Sequence, residues 1–503
     1  MRKRLVIYNA IGMYLLQIAQ IVYSIIIPRW LLIYYGSNVN GLLASITQFL
    51  SYIALMDAGV SAVLRSMLYK PLATKEYFTV QIITNSAQRF YRKIAFFFVF
   101  YLLSISIILP IILSSEFNWI YTCTLIFIVG LSTFSEYYFG IAYSTLLDAD
   151  QKKYIYCTIH GISIIINLVI SIILIKLGFS IHLVKLATAF VYMIKPIAIS
   201  RYVRHAYEFN SNNSNTIEIK NKWVGMANHI AYFLHTHIDI ILLTIVKGAK
   251  IVSVYSVYST IVMGLVSLIN SSIGGIEGLF GKINARNEQN KLIDVFNMTE
   301  YFVFTLSTIL FSVAMVTIIP FINIYTRGIT DVNYKKYLFA VLLLLAEFFY
   351  CIRIPYQSVI VAIGKIKETM KGAVVEVALN LVISITLVWK YSMVGLVIGT
   401  LCGMIYRTIN YSLFISGCFI KVDIYNLLKR LVVAFVEMVC IVFLMNFLMN
   451  DNVNSYYSWI ILACKTTIMS TSIVMVTNFC IFRGEASLLG KMIFERAGRV
   501  KKK

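Results

Sequence analysis

The sequence predicts an all-α integral membrane protein with about 14 transmembrane helices. Of its 503 residues, 59% are hydrophobic and 13% are charged. Soluble domains average roughly 45–50% apolar and about 25% charged residues, so this composition excludes a water-soluble fold. Apolar runs of about 20 residues, the length of a membrane-spanning helix, recur along the whole chain. The alternating pattern of a transmembrane barrel is not seen.

The apolar runs define the predicted spans in chain order. They cover roughly 8–28, 40–62, 93–114, 118–144, 154–176, 180–200, 223–246, 251–275, 300–325, 337–361, 370–389, 392–417, 428–449 and 458–482. Lys and Arg concentrate in alternate connecting segments, which is typical of cytoplasmic loops. This bias predicts that both termini lie in the cytoplasm. It also accounts for the net charge of +22 without nucleic acid as a partner.

A polar linker rich in Asn and Ser, residues 205–222, separates six predicted spans from the next eight. We therefore expect an N-terminal lobe over 1–204, a C-terminal lobe over 223–420, and two further spans with a basic tail over 421–503. A shift of about 215 residues aligns the first span of each lobe and brings Gly59 close to the Gly274–Gly275 pair. The alignment predicts a parallel internal repeat, as many transporters have.

Charged residues inside apolar spans are functional candidates, because a charge at the centre of a bilayer is costly. Arg407 and Arg353 stand out, since a guanidinium is always charged and can bind phosphate through two parallel hydrogen bonds. The alternative partner for Arg407 is a neighbouring glutamate, which would make that arginine structural. Arg29, at the outer end of the first span, is a third candidate for the same site.

Several acidic residues are candidates for coupling or gating. Glu136 and Glu347 lie within the fourth and tenth spans, and Glu376 and Glu437 are further carboxylates inside spans. Lys195 lies near the inner end of the sixth span, where snorkelling to the interface is the expectation.

Asp57 and Arg65 are close to the inner end of the second span. Their separation of eight residues corresponds to about two helical turns, so one continuous helix would place them on the same face. A structural pair and a ligand contact are both open for these two residues.

The segment from His235 to Asp239 invites a metal-site interpretation that helical geometry excludes. Residues two apart on a helix point about 200° apart, so His235 and His237 cannot bind one ion. His235 and Asp239 share a face, which fits a hydrogen-bonded or proton-sensing pair. We expect no metal and no cofactor, and coupling to a proton or sodium gradient is left open.

Asp148 and Asp150 form a D-x-D string, as found in metal-dependent glycosyltransferases. The string lies in a short predicted cytoplasmic turn, and no soluble nucleotide-sugar domain accompanies it. A solvated turn is therefore the favoured interpretation.

Several short motifs resemble those of Wzx-like O-antigen and capsule flippases, polysaccharide transporters of the MOP (MATE-like) superfamily. They are PRWLLIYYG at 28–36, LMDAGV at 55–60, LLDADQKKY at 146–154, HIDIILL at 237–243 and VYSVY at 254–258. The lipid II flippase branch of the superfamily uses arginines within the first helix. In this sequence the first span offers only Asn9, Gln17 and Gln20 before Arg29.

The resemblance implies two six-helix lobes around a cationic central cavity, with two further helices appended. It implies export of undecaprenyl-diphosphate-linked oligosaccharide from the inner to the outer leaflet of the bacterial cytoplasmic membrane by alternating access. The partners implied are that glycan, membrane lipids, and the polysaccharide polymerase and chain-length machinery. The residues assigned to substrate binding are Arg29, Arg65, Arg353 and Arg407. The residues assigned to coupling or gating are Asp57, Glu136, His235, Asp239 and Glu347.

Two alternatives are weighed against the flippase. A cation-coupled multidrug exporter of the same superfamily would require an acidic rather than a basic cavity. A membrane-embedded polysaccharide polymerase or glycosyltransferase would require a large outer loop with catalytic charges, whereas the predicted outer loops are no longer than roughly a dozen residues. We therefore predict a transporter and not an enzyme.

Overall fold

The computed structural model describes residues 2–57, 59–209, 215–217, 226–418, 424–448 and 453–485. Secondary structure in these ranges is helical. Within the described residues, twelve helical segments are long and apolar enough to cross a membrane. This confirms the predicted fold class, an all-α multi-pass membrane protein. The chain divides into two compact units, Met1–Val257 and Tyr258–Lys503.

Helices α1 to α9 begin in the first unit. They are α1 (Arg2–Ser51), α2 (Val60–Thr74), α3 (Tyr77–Ile112), α4 (Trp119–Ser135), α5 (Ile141–Ala149), α6 (Lys153–Lys176), α7 (Ile181–Ala206), α8 (Met226–Lys247) and α9 (Ala249–Ser272). A 3₁₀ turn, Tyr52–Met56, follows α1, and a π-helical turn, Glu136–Gly140, joins α4 to α5.

The 50 residues of α1 contain two predicted spans rather than one long helix. A straight helix of that length would measure about 75 Å, more than twice the hydrocarbon core of a bilayer. The helix is interrupted at Gly36, whose φ of 78° and ψ of 175° lie outside the helical region. The two halves of α1 are separate spans, and α8, with 22 residues, is long enough to be a further span. The resulting total agrees with the predicted number of about 14 spans.

The second span is shorter than predicted. Its helical turn ends at Met56, and Gly59 adopts a left-handed conformation with φ of 91° before α2 begins at Val60. Glycine has no Cβ to oppose this conformation, so it allows the chain to change direction. The prediction that Asp57 and Arg65 share the face of one continuous helix is therefore wrong.

Helices α10 to α17 lie in the second unit. They are α10 (Ile276–Ala285), α11 (Gln289–Tyr325), α12 (Tyr337–Ile352), α13 (Ile354–Ala362), α14 (Met370–Tyr391), α15 (Met393–Cys418), α16 (Ile424–Leu448) and α17 (Tyr456–Ile481). A 3₁₀ turn, Ile366–Thr369, precedes α14.

The predicted internal repeat is visible in the backbone. Gly275 precedes α10 with φ of 91°, the value of Gly59 before α2. Each short helix is followed by a long one, α3 or α11, of 36 and 37 residues, which contains a proline near its end, Pro110 or Pro320. Equivalent positions are about 215 residues apart, as the sequence predicts.

The linker predicted at 205–222 lies partly outside the described residues, at 210–214 and 218–222. Helix α8, which we expected to open the C-terminal lobe, is grouped with the first unit. In that unit the hydroxyls of Ser45 in α1 and Thr244 in α8 are 2.7 Å apart. The lobe boundaries stay a prediction.

Small residues bring α14 and α15 into close contact. A Cβ added at Gly399 would lie 2.2 Å from the Ser384 hydroxyl and 2.8 Å from the carbonyl oxygen of Asn380. Close backbone approach at small residues is a common way for membrane helices to associate. The contact fixes the register of the two helices, and with it the positions of their charged side chains.

Candidate functional site

Three buried charged residues meet in the second unit. Helix α12 ends at Ile352 and α13 begins at Ile354, so Arg353 lies at the break between them. Its Nη1 donates a hydrogen bond to Oε1 of Glu376 in α14 over 2.6 Å. Nε of Arg407 in α15 is 3.4 Å from Oε2 of the same carboxylate. The side chains are 5% to 7% exposed. We call these three residues the arginine cluster.

Additional contacts hold each guanidinium in place. Arg407 donates to the carbonyl of Thr369 and to the hydroxyl of Tyr411, both over 2.9 Å, and lies 4.1 Å from the centre of the Tyr411 ring. Arg353 lies 4.8 Å from the centre of the Tyr350 ring, and its Nε is buried without a hydrogen-bond partner. Two guanidinium groups therefore share one carboxylate, which leaves one positive charge in excess within the cluster.

The first unit contains an ion pair between a buried lysine and a half-buried glutamate. Nζ of Lys195 in α7 is 2.8 Å from Oε2 of Glu136, the first residue of the π-helical turn after α4. The Lys195 side chain is 9% exposed. The prediction that Lys195 snorkels is wrong, because Glu136 provides a carboxylate partner within the helix bundle.

The two charged groups occupy equivalent places in the repeat. A shift of about 215 residues aligns Glu136 with Arg353 and Lys195 with Arg407. In each unit a charged residue lies where a long helix is interrupted. Glu136 pairs with Lys195 of α7, and Arg353 shares the carboxylate of Glu376 with Arg407 of α15. Irregular turns of this kind within helices are frequent at functional sites. The first unit carries a neutral pair, whereas the second carries excess positive charge.

Asp57 and Arg65 have separate partners. The Tyr91 hydroxyl donates to Oδ1 of Asp57 over 2.7 Å, and the Ser61 hydroxyl donates to its Oδ2 over 3.0 Å. Arg65 is 3.4 Å from the carboxylate of Asp148.

The D-x-D string is occupied by ion pairs. Asp148 contacts Arg65 and Lys153, and Asp150 lies 2.7 Å from Nζ of Lys152. Both aspartates are already neutralised by side chains of this chain, which supports the interpretation of the string as a turn.

The remaining predicted site residues are spread over several helices. Asp239 in α8 is 6% exposed and accepts a hydrogen bond of 2.8 Å from the Tyr255 hydroxyl. The side chain of His235 lies outside the described residues. Arg29 is half-buried in α1, and Glu347 is buried in α12. Of the four predicted substrate-binding arginines, the structure brings Arg353 and Arg407 together.

Sequence reasoning missed one charged group in the second unit. Arg430 of α16 is 3.5 Å from Glu300 of α11 and 3.0 Å from Glu485, which follows α17. Glu300 also accepts a hydrogen bond from Tyr356. Glu300 and Arg430 stood at the ends of predicted spans, where charged residues usually reach the interface. The early start of α11, at Gln289, places Glu300 inside the bundle.

No protein-family model and no curated protein matches this sequence. Its fold, however, is similar to solved structures. An inward closed conformation of the lipid II flippase MurJ has a TM-score of 0.65 and 14% identity, covering 93% of this chain and 98% of that chain. The chain has the fold of this flippase.

Two MATE transporters share this fold over a smaller part of the chain. An inward-facing MATE family transporter of the MOP superfamily has a TM-score of 0.56 and 12% identity, covering 80% of this chain and 94% of that chain. The MATE transporter VcmN of Vibrio cholerae, in a mutant form, has a TM-score of 0.56 and 14% identity, covering 82% and 96%. These identities establish a common fold between the chain and the transporters.

Proposed function

We propose that this protein is a flippase for undecaprenyl-diphosphate-linked oligosaccharide, such as an O-antigen or capsule repeat unit. It would move the glycan from the inner to the outer leaflet of the bacterial cytoplasmic membrane, with both termini in the cytoplasm. The observation that carries the proposal is the arginine cluster. Two buried guanidinium groups with one carboxylate give the membrane interior the positive charge that an anionic head group requires.

The chemistry of the substrate explains why arginine is suited to this role. A pyrophosphate is too costly to move through hydrocarbon unless cations accompany it. Arginine binds phosphate oxygens through two parallel hydrogen bonds, which lysine cannot do. In our proposal Glu376 holds Arg353 and Arg407 in position, and a phosphate competes with it for their N–H groups. The unpartnered Nε of Arg353 is a donor available for this exchange.

The other assigned residues keep their proposed roles. Arg29 and Arg65 add positive charge for the substrate in the first unit. Asp57, Glu136 and Asp239, with His235 and Glu347, couple transport to an ion gradient or gate it. We propose proton or sodium coupling without a further cofactor, and membrane lipids, a polysaccharide polymerase and the chain-length machinery as partners.

A cation-coupled multidrug exporter is the second candidate, because the MATE transporters have the same fold. Buried carboxylates such as Asp239 would suit an organic cation. Two observations favour the flippase. The likeness to MurJ covers 93% of the chain, against 80% and 82% for the two MATE transporters. The arginine cluster is basic, whereas a drug exporter would need an acidic site.

Transport in proteoliposomes tests the proposal. A labelled undecaprenyl-diphosphate oligosaccharide is reconstituted with the protein, and a membrane-impermeant probe reports the leaflet in which the glycan is exposed. We expect translocation by the unaltered protein and its loss in Arg407→Lys, which keeps the charge but not the paired hydrogen bonds. Arg286→Lys is the matched control, because the Arg286 side chain is 58% exposed.

Each other outcome contradicts the proposal in a distinct way. Translocation by Arg407→Lys at the unaltered rate would remove the arginine cluster from the substrate path. Efflux of an organic cation without glycan translocation would identify a drug exporter. Lengthening of the glycan chain would identify a polymerase. Size-exclusion chromatography of each variant shows whether the purified protein is folded.

A further inference from the structure

Helices α11, α16 and α17 of the second unit line a small, partly open cavity with space for about one water molecule. Its polar lining comes from all three helices. These residues are Tyr301 and Thr305 of α11, Arg430 and Glu437 of α16, and Asn478 of α17. Phe482, which follows α17, also lines the cavity. The cavity is separate from the arginine cluster, and neither Arg353 nor Arg407 lines it.

Glu437 is a buried carboxylate with a neutral partner. Glu437 is 4% exposed, and its Oε1 accepts a hydrogen bond from the Thr477 hydroxyl. Within the described part of the chain, no cationic side chain forms an ion pair with it. An ionised carboxylate in this position would lack the counter-charge that buried charges need.

Arg430 is the cation that lines the same cavity, and it is already engaged. It is 4% exposed, and its Nη2 contacts the carboxylates of Glu300 and Glu485. The single guanidinium therefore has three carboxylates around it, those of Glu300, Glu437 and Glu485. Nε of Arg430 is buried without a partner. The cavity has space for about one water molecule, which can accept a hydrogen bond from that nitrogen.

We propose that Glu437 is a proton-binding site that exchanges its proton with water in this cavity. On protonation an O–H bond forms at the carboxylate, and the charge of the group around Arg430 becomes less negative by one unit. Glu300 and Tyr301 face the site from α11, Arg430 faces it from α16, and Glu485 approaches after α17. Helix α17 presents uncharged Thr477 and Asn478.

A proton suits the site better than a metal cation. A sodium ion would need several oxygen ligands directed at one point. The guanidinium of Arg430 lines the same cavity, and its charge opposes a second fixed cation. Protonation neutralises Glu437 without any further ligand.

The site links pH to the packing of the last two helices. Neutral Glu437 lets α16 and α17 pack against α11 without an unpaired buried carboxylate, whereas the ionised form draws water into the cavity. This response does not depend on the substrate proposed above. Where the protein transports, we expect the transport rate to follow the protonation of Glu437.

Infrared difference spectroscopy of the full-length protein in proteoliposomes tests the proposal directly. The carbonyl band of a protonated carboxylic acid is followed as the pH is raised. We expect one such band to be lost in Glu437→Gln and to shift in frequency, without being lost, in Thr477→Val. Glu288→Gln is the control, because a hydrogen bond from Lys291 lowers the pKa of exposed Glu288 and keeps it ionised.

Persistence of every carboxylic acid band in Glu437→Gln would overturn the proposal. Loss of the Glu437 band on adding sodium at constant pH would instead identify a sodium site. Transport supplies an independent readout, in which Glu437→Gln should flatten the pH profile and Glu288→Gln should leave it unchanged. Failure of the flippase proposal would abolish this transport signal in all variants and leave the infrared result intact.

Discussion

Replacing Glu376 with glutamine removes the one carboxylate that Arg353 and Arg407 share. Glutamine keeps the volume of the side chain and one carbonyl acceptor, so the substitution changes mainly the charge. Both guanidinium groups then remain buried, 4% and 5% exposed, without a counter-ion in the cluster. Arg407 keeps its hydrogen bonds to Thr369 and Tyr411, whereas the ion pair of Arg353 is lost.

The expected loss of stability is large. Removing one partner of a buried ion pair costs about 3–5 kcal/mol, because the other charge stays behind in a medium of low dielectric constant. For a unit of this size, about 1 kcal/mol corresponds to roughly 2–4 °C in Tm. Glu376→Gln should therefore lower the Tm by roughly 6–20 °C.

Thermal unfolding in detergent, followed by tryptophan fluorescence, measures this shift. Glu288→Gln provides the matched control, because Glu288 pairs with Lys291 over 2.9 Å in an exposed position. Exposed pairs contribute little, so the control should leave the Tm unchanged. A double variant, Glu376→Gln with Arg353→Met, should recover part of the loss by removing one unpaired charge. A Tm for Glu376→Gln equal to that of the control would refute the assignment of the cluster as a buried ion network.

Three further predictions concern packing, the first unit and the repeat. Gly399→Ala should destabilise the protein by about 1–3 kcal/mol in the same assay, because the new Cβ would meet Ser384 at 2.2 Å. Gly264→Ala, where no atom lies within 4 Å, should have no such effect, and equal shifts would contradict the close approach. Lys195→Met should lower the free energy of unfolding by roughly 1–3 kcal/mol. The loss is smaller than for Glu376→Gln, because the Glu136 side chain is 25% exposed, and adding Glu136→Gln should restore part of the lost stability. Gly275→Ala should cost about 1–2 kcal/mol from backbone strain alone, since φ is 91° and no atom lies within 4 Å of the new Cβ. An unchanged Tm in Gly275→Ala would show that the turn before α10 does not hold this conformation.

The membrane fold could be predicted from the sequence because its signal is local. A span is a run of about 20 apolar residues, and each run can be read without reference to any other part of the chain. The repeat was also predictable, because glycines at Gly59 and Gly275 mark the same turn at equivalent places. The end of the second span was not, since it depends on the left-handed conformation that Gly59 adopts.

The candidate site could be predicted only in part. Arg353 and Arg407 stood out because a charge inside an apolar run is rare. The partners of these arginines could not be read from the sequence, because Arg353 precedes α13 and Glu376 lies in α14, 23 residues further along the chain. The same holds for Glu136 and Lys195, which pair between the π-helical turn and α7. Glu300 and Arg430 were missed, because their burial depends on where α11 starts and on what packs against it.

The sequence by itself determined that this chain crosses a membrane many times, that its two parts repeat one another, and that Arg353 and Arg407 lie within apolar segments. These properties depend on composition and periodicity along the chain. The tertiary structure alone decided which charges pair. In that structure Arg353 and Arg407 share the carboxylate of Glu376, and Glu437 accepts a hydrogen bond from the Thr477 hydroxyl. Pairing depends on contacts between helices distant in sequence, and a buried charge acquires its properties from those contacts.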